Sequence, residues 1–366
     1  MIPRRIGGVT TKKPRLNKLL IASAIIFTSS LAWQNSTTFA FSEAPFYKQP
    51  TNNRRTYAAH TVSEPQSSNL KEAISICLPE NWRDSNTWSQ EAAHVLTEYG
   101  AVALISKHDE SGLIKKEICD NANTAAATRL NDMRRRIESR GLDPTGVDEP
   151  YRFSEIICRD DGGKRYDVPI AFLGESSSDE EGQEGLQSSS VGSGRIGTPL
   201  EPNEEEAIAE LHKRIDEITK PVMNSLWSQS DFQSSVAAAG FLMNEPGSKS
   251  QNWHRDGPEE GFIDCFVPLI DLNESLGPTA IKPGTHTDKS GKVGETNNNN
   301  DVLVPILNKG EVLLFDYRTI HRGQGNKSKS ITRTLAYAVY KRKELGSMDT
   351  SGDIHNFPAA LTLEYD

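Results

Sequence analysis

Between Ala237 and Tyr340 the chain carries five short apolar runs, 237–243, 262–269, 302–306, 311–315 and 334–340, parted by Gly, Pro and Asn. Runs this short, bounded by turn formers, read as strands rather than core helices. Several of them in succession must hide their edges, which predicts a barrel or a sandwich of two sheets. Upstream the periodicity is different. Trp88, Ala92, Val95 and Leu96 recur at helical spacing up to Gly100, and Ala101–Ile105 follows as a buried strand. A second helix is predicted over 124–139, with arginines on its outer side, and a third over 205–227, where Ile208, Leu211, Ile215, Ile218 and Met223 form an apolar stripe. Pro221 lies inside that third helix and is expected to kink or split it. Helices first and strands later predict a mainly β fold with helices packed outside the sheet.

The remaining stretches have a different texture. A basic start ending at Lys18 runs into an apolar stretch from Leu19 to Trp33 and then into small residues around Thr38-Phe39-Ala40-Phe41. That order is the signature of a secretory signal peptide over 1–40, since the apolar stretch is short and polar for a membrane span. Its alternative is an uncleaved anchor. The junction resembles the plastid-import junction of diatoms and related algae, and residues 41–69, with only Glu43 and Glu64 as acids, fit a transit segment. The expected destination is the plastid of an alga or diatom, with the endoplasmic reticulum lumen or secretion as the competing destination. Residues 174–206 hold serine runs, Asp179-Glu180-Glu181 and Glu204-Glu205-Glu206, and are expected to form a disordered acidic insertion. The globular domain is therefore expected over 70–345, with a tail over 346–366.

Charge narrows the partners. The chain's net charge is -9, and the first forty residues hold six Lys or Arg and no acid. Without them 35 basic residues face 50 acidic ones, a charge of -15. A chain so acidic repels phosphate backbones, and no basic patch outside the leader offsets this, so nucleic acid is excluded as a partner. Once the leader is removed no stable membrane span is expected. The expected partner is a small-molecule substrate, and the expected state is a monomer. Cys77, Cys119, Cys158 and Cys265 lie far apart without a paired motif, which excludes a zinc module and predicts buried free thiols, with one or two bridges as the alternative.

The chemistry concentrates in His254-Arg255-Asp256. On a strand, residues i and i+2 point the same way, so one imidazole and one carboxylate can share an ion. His321, just beyond the run 311–315, supplies a third ligand from elsewhere. Two histidines and one carboxylate on one face of an octahedron leave three positions open, the arrangement of non-haem iron(II) oxygenases. Two open positions suit a bidentate 2-oxo acid and the third admits O2. Arg333, at the start of the last run, can take a distal carboxylate through two parallel hydrogen bonds. Two rival motifs fail. His-Arg-Asp mimics a kinase catalytic loop, but Gly261 stands where that loop needs Asn. Gly192, Gly194 and Gly197 mimic a dinucleotide fingerprint without a preceding strand.

Gln251-Asn252-Trp253-His254-Arg255-Asp256-Gly257 resembles the first metal motif of the phytanoyl-CoA dioxygenase family. Pro268-Leu269-Ile270-Asp271, Gly277-Pro278-Thr279 and Pro283-Gly284-Thr285-His286 resemble its central strand and loop. Gly310–Asp316, Thr319–Gly323, Asn326, Ser328 and Arg333 complete the pattern, and Tyr99–Ser106 is similar to an early glycine-strand segment. The resemblance implies a double-stranded β-helix (a cupin-like jelly roll), with His254, Asp256 and His321 on Fe(II), Arg333 on 2-oxoglutarate, and Gln251 and Thr279 lining the co-substrate pocket. Ascorbate is implied as reductant. The implied reaction hydroxylates a small-molecule or lipid-like substrate with release of succinate and CO2. Asp256 favours that outcome, because related halogenases have a small residue there. Gly323 departs from relatives that carry a hydroxyl at that place, so one co-substrate contact is expected to be missing or supplied elsewhere. The alternatives are a catalytically silent jelly-roll binding protein and a cupin-type metalloenzyme that does not use 2-oxoglutarate. His286 is expected to stabilise its turn or stand at the pocket edge, Trp253 to pack beside the metal, and Asp271 and Asp316 to order turns at strand ends.

Overall fold

The computed structural model describes residues 72–344, apart from 80, 85–86, 108–111, 149, 154, 159–161, 171–201, 228–231 and 289–301. The leader, the transit segment, most of the acidic insertion with its glycine run, and the tail therefore lie outside the described residues. All described residues belong to one compact unit, Thr61–Asp366. Among them, no helix is long and apolar enough to cross a membrane.

Three helices precede most of the strands. Helix α1 (Thr87–Tyr99) buries Trp88, Ala92, Val95 and Leu96, the residues whose spacing predicts it. Helix α2 (Lys116–Ser139) begins eight residues earlier than its arginine-rich half predicts, because Cys119 and Ala122 extend the buried stripe through Ala126, Leu130, Met133 and Ile137. Helix α3 (Pro202–Leu226) corrects two expectations. Residues 202–206, expected in the disordered insertion, form its first turn, where glutamates complement the partial positive charge of a helix N-terminus. It also continues through Pro221 and is not split in two there.

The strands β1 (Ser75–Leu78), β2 (Ala101–Ser106), β3 (Tyr151–Arg152), β4 (Ile157–Cys158), β5 (Arg165–Pro169), β6 (Phe232–Asn244), β7 (Phe262–Pro268), β9 (Val312–Asp316) and β11 (Arg333–Glu344) form one nine-stranded sheet. Its order is β1-β2-β9-β7-β11-β6-β5-β4-β3, antiparallel except for β1 beside β2. Both faces are covered, which is why its strands read as unbroken apolar runs. On β11, Ala336, Ala338 and Tyr340 join the core under the helices, while Leu335, Tyr337 and Val339 join a second core on the opposite face. On β9, Val312 and Leu314 take the first side and Leu313 and Phe315 the second.

The second core is closed by a small sheet of β8 (Thr279–Ile281) and β10 (His321–Gly323). Single bridges add Leu303 beside Ile281 and His254 beside His321. The run 302–306 is thus no full strand, and His254 and Asp256 stand on one bridged residue and the bend after it, not on the regular strand their spacing predicts. Large and small sheets facing each other across Phe266, Ile281, Phe315 and Leu335 make the double-stranded β-helix. The four cysteines are unbridged as expected, although Cys77 is exposed instead of buried.

Candidate active site

The strand order brings His254, Asp256 and His321 together, with ligand atoms all within 4.8 Å of one another. Asp256 stands between the two imidazoles, Oδ1 3.7 Å from His254 Nε2 and Oδ2 3.4 Å from His321 Nε2. Each imidazole is tied at its other nitrogen to the carbonyl two residues upstream: His254 Nδ1 to Asn252 at 2.8 Å, His321 Nδ1 to Thr319 at 2.9 Å. A carbonyl only accepts, so Nδ1 donates to it and Nε2 is the nitrogen turned towards Asp256. That is the orientation a metal-binding histidine needs. The backbone fixes the spacing as well: His254 N donates to His321 O at 3.0 Å and His321 N to His254 O at 2.9 Å. Behind them, the Phe315 ring lies 4.7 Å from that of His321. The donor set of two imidazoles and one carboxylate fits a divalent transition metal.

Asp264 of β7 points into the same space and is 3% exposed. Burial, and then the charge of Asp256 to which it hydrogen-bonds, hold its carboxyl well above the usual carboxylate range. Sequence reading missed Asp264, whose inward direction follows only from the pleat of β7.

The cavity holding this triad is lined at its other end by Arg165, Asn244, Gln251, Thr279, Gly323 and Arg333. Arg333 is 1% exposed and donates through Nη1 to the Gly277 carbonyl, while its Nε has no partner. Among the described residues no carboxylate pairs with it. Burial, and then the neighbouring charge of Arg165, push its guanidinium down to about 9. Arginine holds its proton tenaciously, so this depression measures how poorly solvated the cation is, and an anion would relieve it. Arg165 and Asn244 are further residues the sequence reading missed. Asn244 on β6 is the register partner of both Arg165 on β5 and Arg333 on β11, so the three side chains form a row across three strands. Asn244 is fully buried, and neither amide atom of its side chain has a partner. An orphaned buried amide costs about 1–3 kcal/mol per group, so the row is built for something that binds there.

Gly323 lets Arg165 into this row. A Cβ at Gly323 would stand 2.4 Å from Arg165 Nη1 and 2.8 Å from Gln251 Oε1. Arg165 Nη2 donates to the carbonyls of Lys249, Gly323 and Gln324 at 2.8, 3.3 and 3.2 Å. Gln251 Oε1 accepts from Gly323 N at 2.9 Å, so Gln251 lines the cavity while bracing β10. Thr279, buried and paired with Gly323, sits beside it. The other marked residues stand apart from the triad. His286 Nε2 donates to the Thr97 carbonyl at 3.1 Å and ties its turn to α1. Trp253 is half-exposed between Arg322 and Lys282, 4.4 and 4.9 Å from its ring. Asp316 orders its turn by accepting from Arg318 N, and Asp271 instead reaches across to accept from Lys309 N.

A β-helix of two facing sheets, with a two-histidine, one-carboxylate cluster and a buried arginine in one cavity, defines a class of metal-dependent jelly-roll proteins. Residues 191–334 match the model of the phytanoyl-CoA dioxygenase (PhyH) family. A dioxygenase of Aspergillus hancockii, hkm4, is 27% identical over 116 residues, which cover 28% of this chain and 37% of that protein. A dioxygenase of Epichloe festucae var. lolii, easH, is 28% identical over 103 residues, covering 25% of this chain and 55% of that protein. The chain thus spans between about a third and just over half of the length of these relatives. Among solved structures, the non-heme alpha ketoglutarate dependent epimerase SnoN from nogalamycin biosynthesis is 16% identical with a TM-score of 0.43, over 76% of this chain and 94% of that one.

Proposed function

We propose that the protein is a non-haem iron(II), 2-oxoglutarate-dependent dioxygenase that hydroxylates a small-molecule or lipid-like substrate. The observation that carries this reading is one cavity holding a metal-binding triad at one end and an uncompensated buried arginine at the other. His254, Asp256 and His321 would hold the iron, and the protons on the two Nδ1 atoms keep both Nε2 atoms free to bind it. Bound iron(II) supplies oxygen activation coupled to oxidative decarboxylation of the 2-oxo acid, which releases succinate and CO2.

The residues of this chain do the rest. Arg333 takes the distal carboxylate in a desolvated setting where a charge-assisted pair is strong. Arg165 adds a second positive charge beside it, in the space where Gly323 has no side chain, and the Asn244 amide can donate between them. This row answers the contact expected to be missing at Gly323. Phe266, Leu335 and Val339 keep water from the reacting end. Three metal ligands in place, Asp256 included, support hydroxylation over halide transfer and argue against a silent binding protein. The buried, unpaired Arg333 argues against a metalloenzyme that dispenses with 2-oxoglutarate.

The test uses the full chain with iron(II), 2-oxoglutarate and ascorbate. Without oxygen, an iron–2-oxoglutarate charge-transfer band should form; with oxygen, succinate should accumulate. Arg333→Leu should raise the KM for 2-oxoglutarate by about 30-fold or more, the scale of a lost buried charge-assisted pair, and leave the iron content at one per chain. An unchanged KM would sink the co-substrate assignment.

A further inference from the structure

The His254-Arg255-Asp256 motif leaves its middle residue without a role. His254 and Asp256 line the cavity, whereas the Arg255 side chain reaches away from it to the segment 285–288. The spacing of the two ligands does not hold them in place by itself. They stand on a bridged residue and the bend after it, so no strand ladder keeps i and i+2 on one side. The backbone contributes the His254–His321 bridge and one bond from Asp256 N to the Tyr317 carbonyl at 3.1 Å. Between these two anchors the chain is held by Arg255.

The Arg255 side chain is 14% exposed and grips the 3₁₀ turn Thr285–Thr287 with both terminal nitrogens. Nη2 donates to the Thr285 carbonyl at 3.0 Å and Nη1 to the Asp288 carbonyl at 2.9 Å. Its Nε is buried without a partner, a loss the fold accepts in keeping the fork on these two carbonyls. Lysine has a single ammonium and no planar fork, so it cannot span both in the same way. Thr285 serves the other ligand segment. Its hydroxyl donates to the Lys282 carbonyl at 2.7 Å and accepts from Ile320 N at 2.9 Å, one residue before His321. One residue thus takes Arg255 on its carbonyl and the His321 segment on its hydroxyl. The turn itself is mounted on α1, through Gly284 N to the Tyr99 carbonyl at 2.7 Å and through His286 to Thr97.

We infer that Arg255 and Thr285 are positioning residues for the metal: from outside the cavity they set the separation of the His254–Asp256 and His321 segments, and with it the metal affinity. This rests on the triad being the metal site proposed above. Metal–ligand bonds tolerate errors of only about 0.2 Å, and a bend at a sheet margin has few bonds of its own to meet that tolerance. Residues that orient ligands without touching the ion govern affinity by about 10- to 100-fold. Valine at 285 would leave the buried Ile320 N–H and the Lys282 carbonyl without the hydroxyl that joins them, whereas serine would keep it.

The experiment measures cobalt(II) binding to the full chain, because imidazole and carboxylate donors hold that ion too and its visible ligand-field bands report their geometry. Arg255→Lys and Thr285→Val should each raise the Kd for cobalt(II) by about tenfold or more and shift the bands of the bound ion. Thr285→Ser should stay within about twofold of wild type, with the bands in place. Both residues act through one turn, so combining Arg255→Lys with Thr285→Val should weaken binding by less than the product of the two single losses. Thermal scans of the metal-free proteins run alongside. A lowered Tm with unchanged cobalt affinity and bands in Arg255→Lys and Thr285→Val would reduce both residues to scaffold and overturn the inference. Losses that multiply, or a Thr285→Ser protein as weak as Thr285→Val, overturn it too. If one of the two variants fails to fold, the other decides; if neither folds, the residues serve the fold alone and the inference falls. Failure of the oxygenase reading shows separately, as wild-type protein that holds iron(II) but forms no charge-transfer band with 2-oxoglutarate, while cobalt affinity still drops in Arg255→Lys.

Discussion

Gly323 and the arginine row make the sharpest residue-scale case. A side chain at 323 has no room unless Arg165 moves, because its Cβ would lie 2.4 Å from the guanidinium. Gly323→Ser is therefore expected to displace Arg165 and raise the KM for 2-oxoglutarate by about tenfold, with iron content unchanged. An unaltered KM would show that Arg165 plays no part in co-substrate binding. Asp256→Ala, by contrast, should abolish iron retention after gel filtration, since two imidazoles alone hold the metal weakly; full retention would break the triad. The triad and Arg333 were legible in the sequence because their chemistry is carried by residue type and order. Arg165, Asn244 and Asp264 were not. Arg165 and Arg333 are 168 positions apart, and only the register that makes Asn244 a partner of both places them in one row.

At the level of elements, α3 carries a buried histidine that sets an acid limit. His212 is buried, and burial pushes its imidazole down to about 4, against a smaller opposing pull from Asp216. The native state keeps it neutral, whereas the unfolded chain protonates it near pH 6.5. Its contribution is thus intact above about pH 6.5 and is lost as pH falls towards 4, at about 1.4 kcal/mol per pH unit for one proton. His212→Leu should flatten the fall in urea-unfolding stability across that window, whatever its effect at pH 7.5; an equally steep fall would place the proton uptake elsewhere. Helix existence was readable from periodicity, as in α1, but the ends were not. The first half of α2 carries Asp120, Asn121 and Asn123, whose low helix propensity hides the buried stripe of Cys119 and Ala122. The run 302–306 shows the opposite error. Its apolar residues fill space beneath the small sheet, and only Leu303 pairs.

Across the whole molecule, the site lies between the two sheets. The metal ligands belong to the small sheet and its margins, and the arginine row belongs to the large one, so a ligand spanning both ties the sheets together. Iron(II) at about 100 times its dissociation constant should add about 2.7 kcal/mol, or about 5–10 °C of Tm for a domain this size. 2-Oxoglutarate should add a further rise only when metal is present, and chelator treatment should remove both increments in a thermal scan. A 2-oxoglutarate shift without metal would mean that the arginine row binds the acid alone. The large sheet was legible as a set of runs, and the small one was not, because three-residue strands and single bridges leave no periodic trace. The single bridge between His254 and His321 has a consequence of its own. The two amide protons that hold the histidines in register are shielded by one ring of mutual hydrogen bonds at a sheet margin, where fraying is cheap. Their deuterium uptake becomes a metal sensor read from the backbone: fast in chelated protein, slowed by orders of magnitude once iron cross-links the two imidazoles, and unchanged if the metal sits elsewhere.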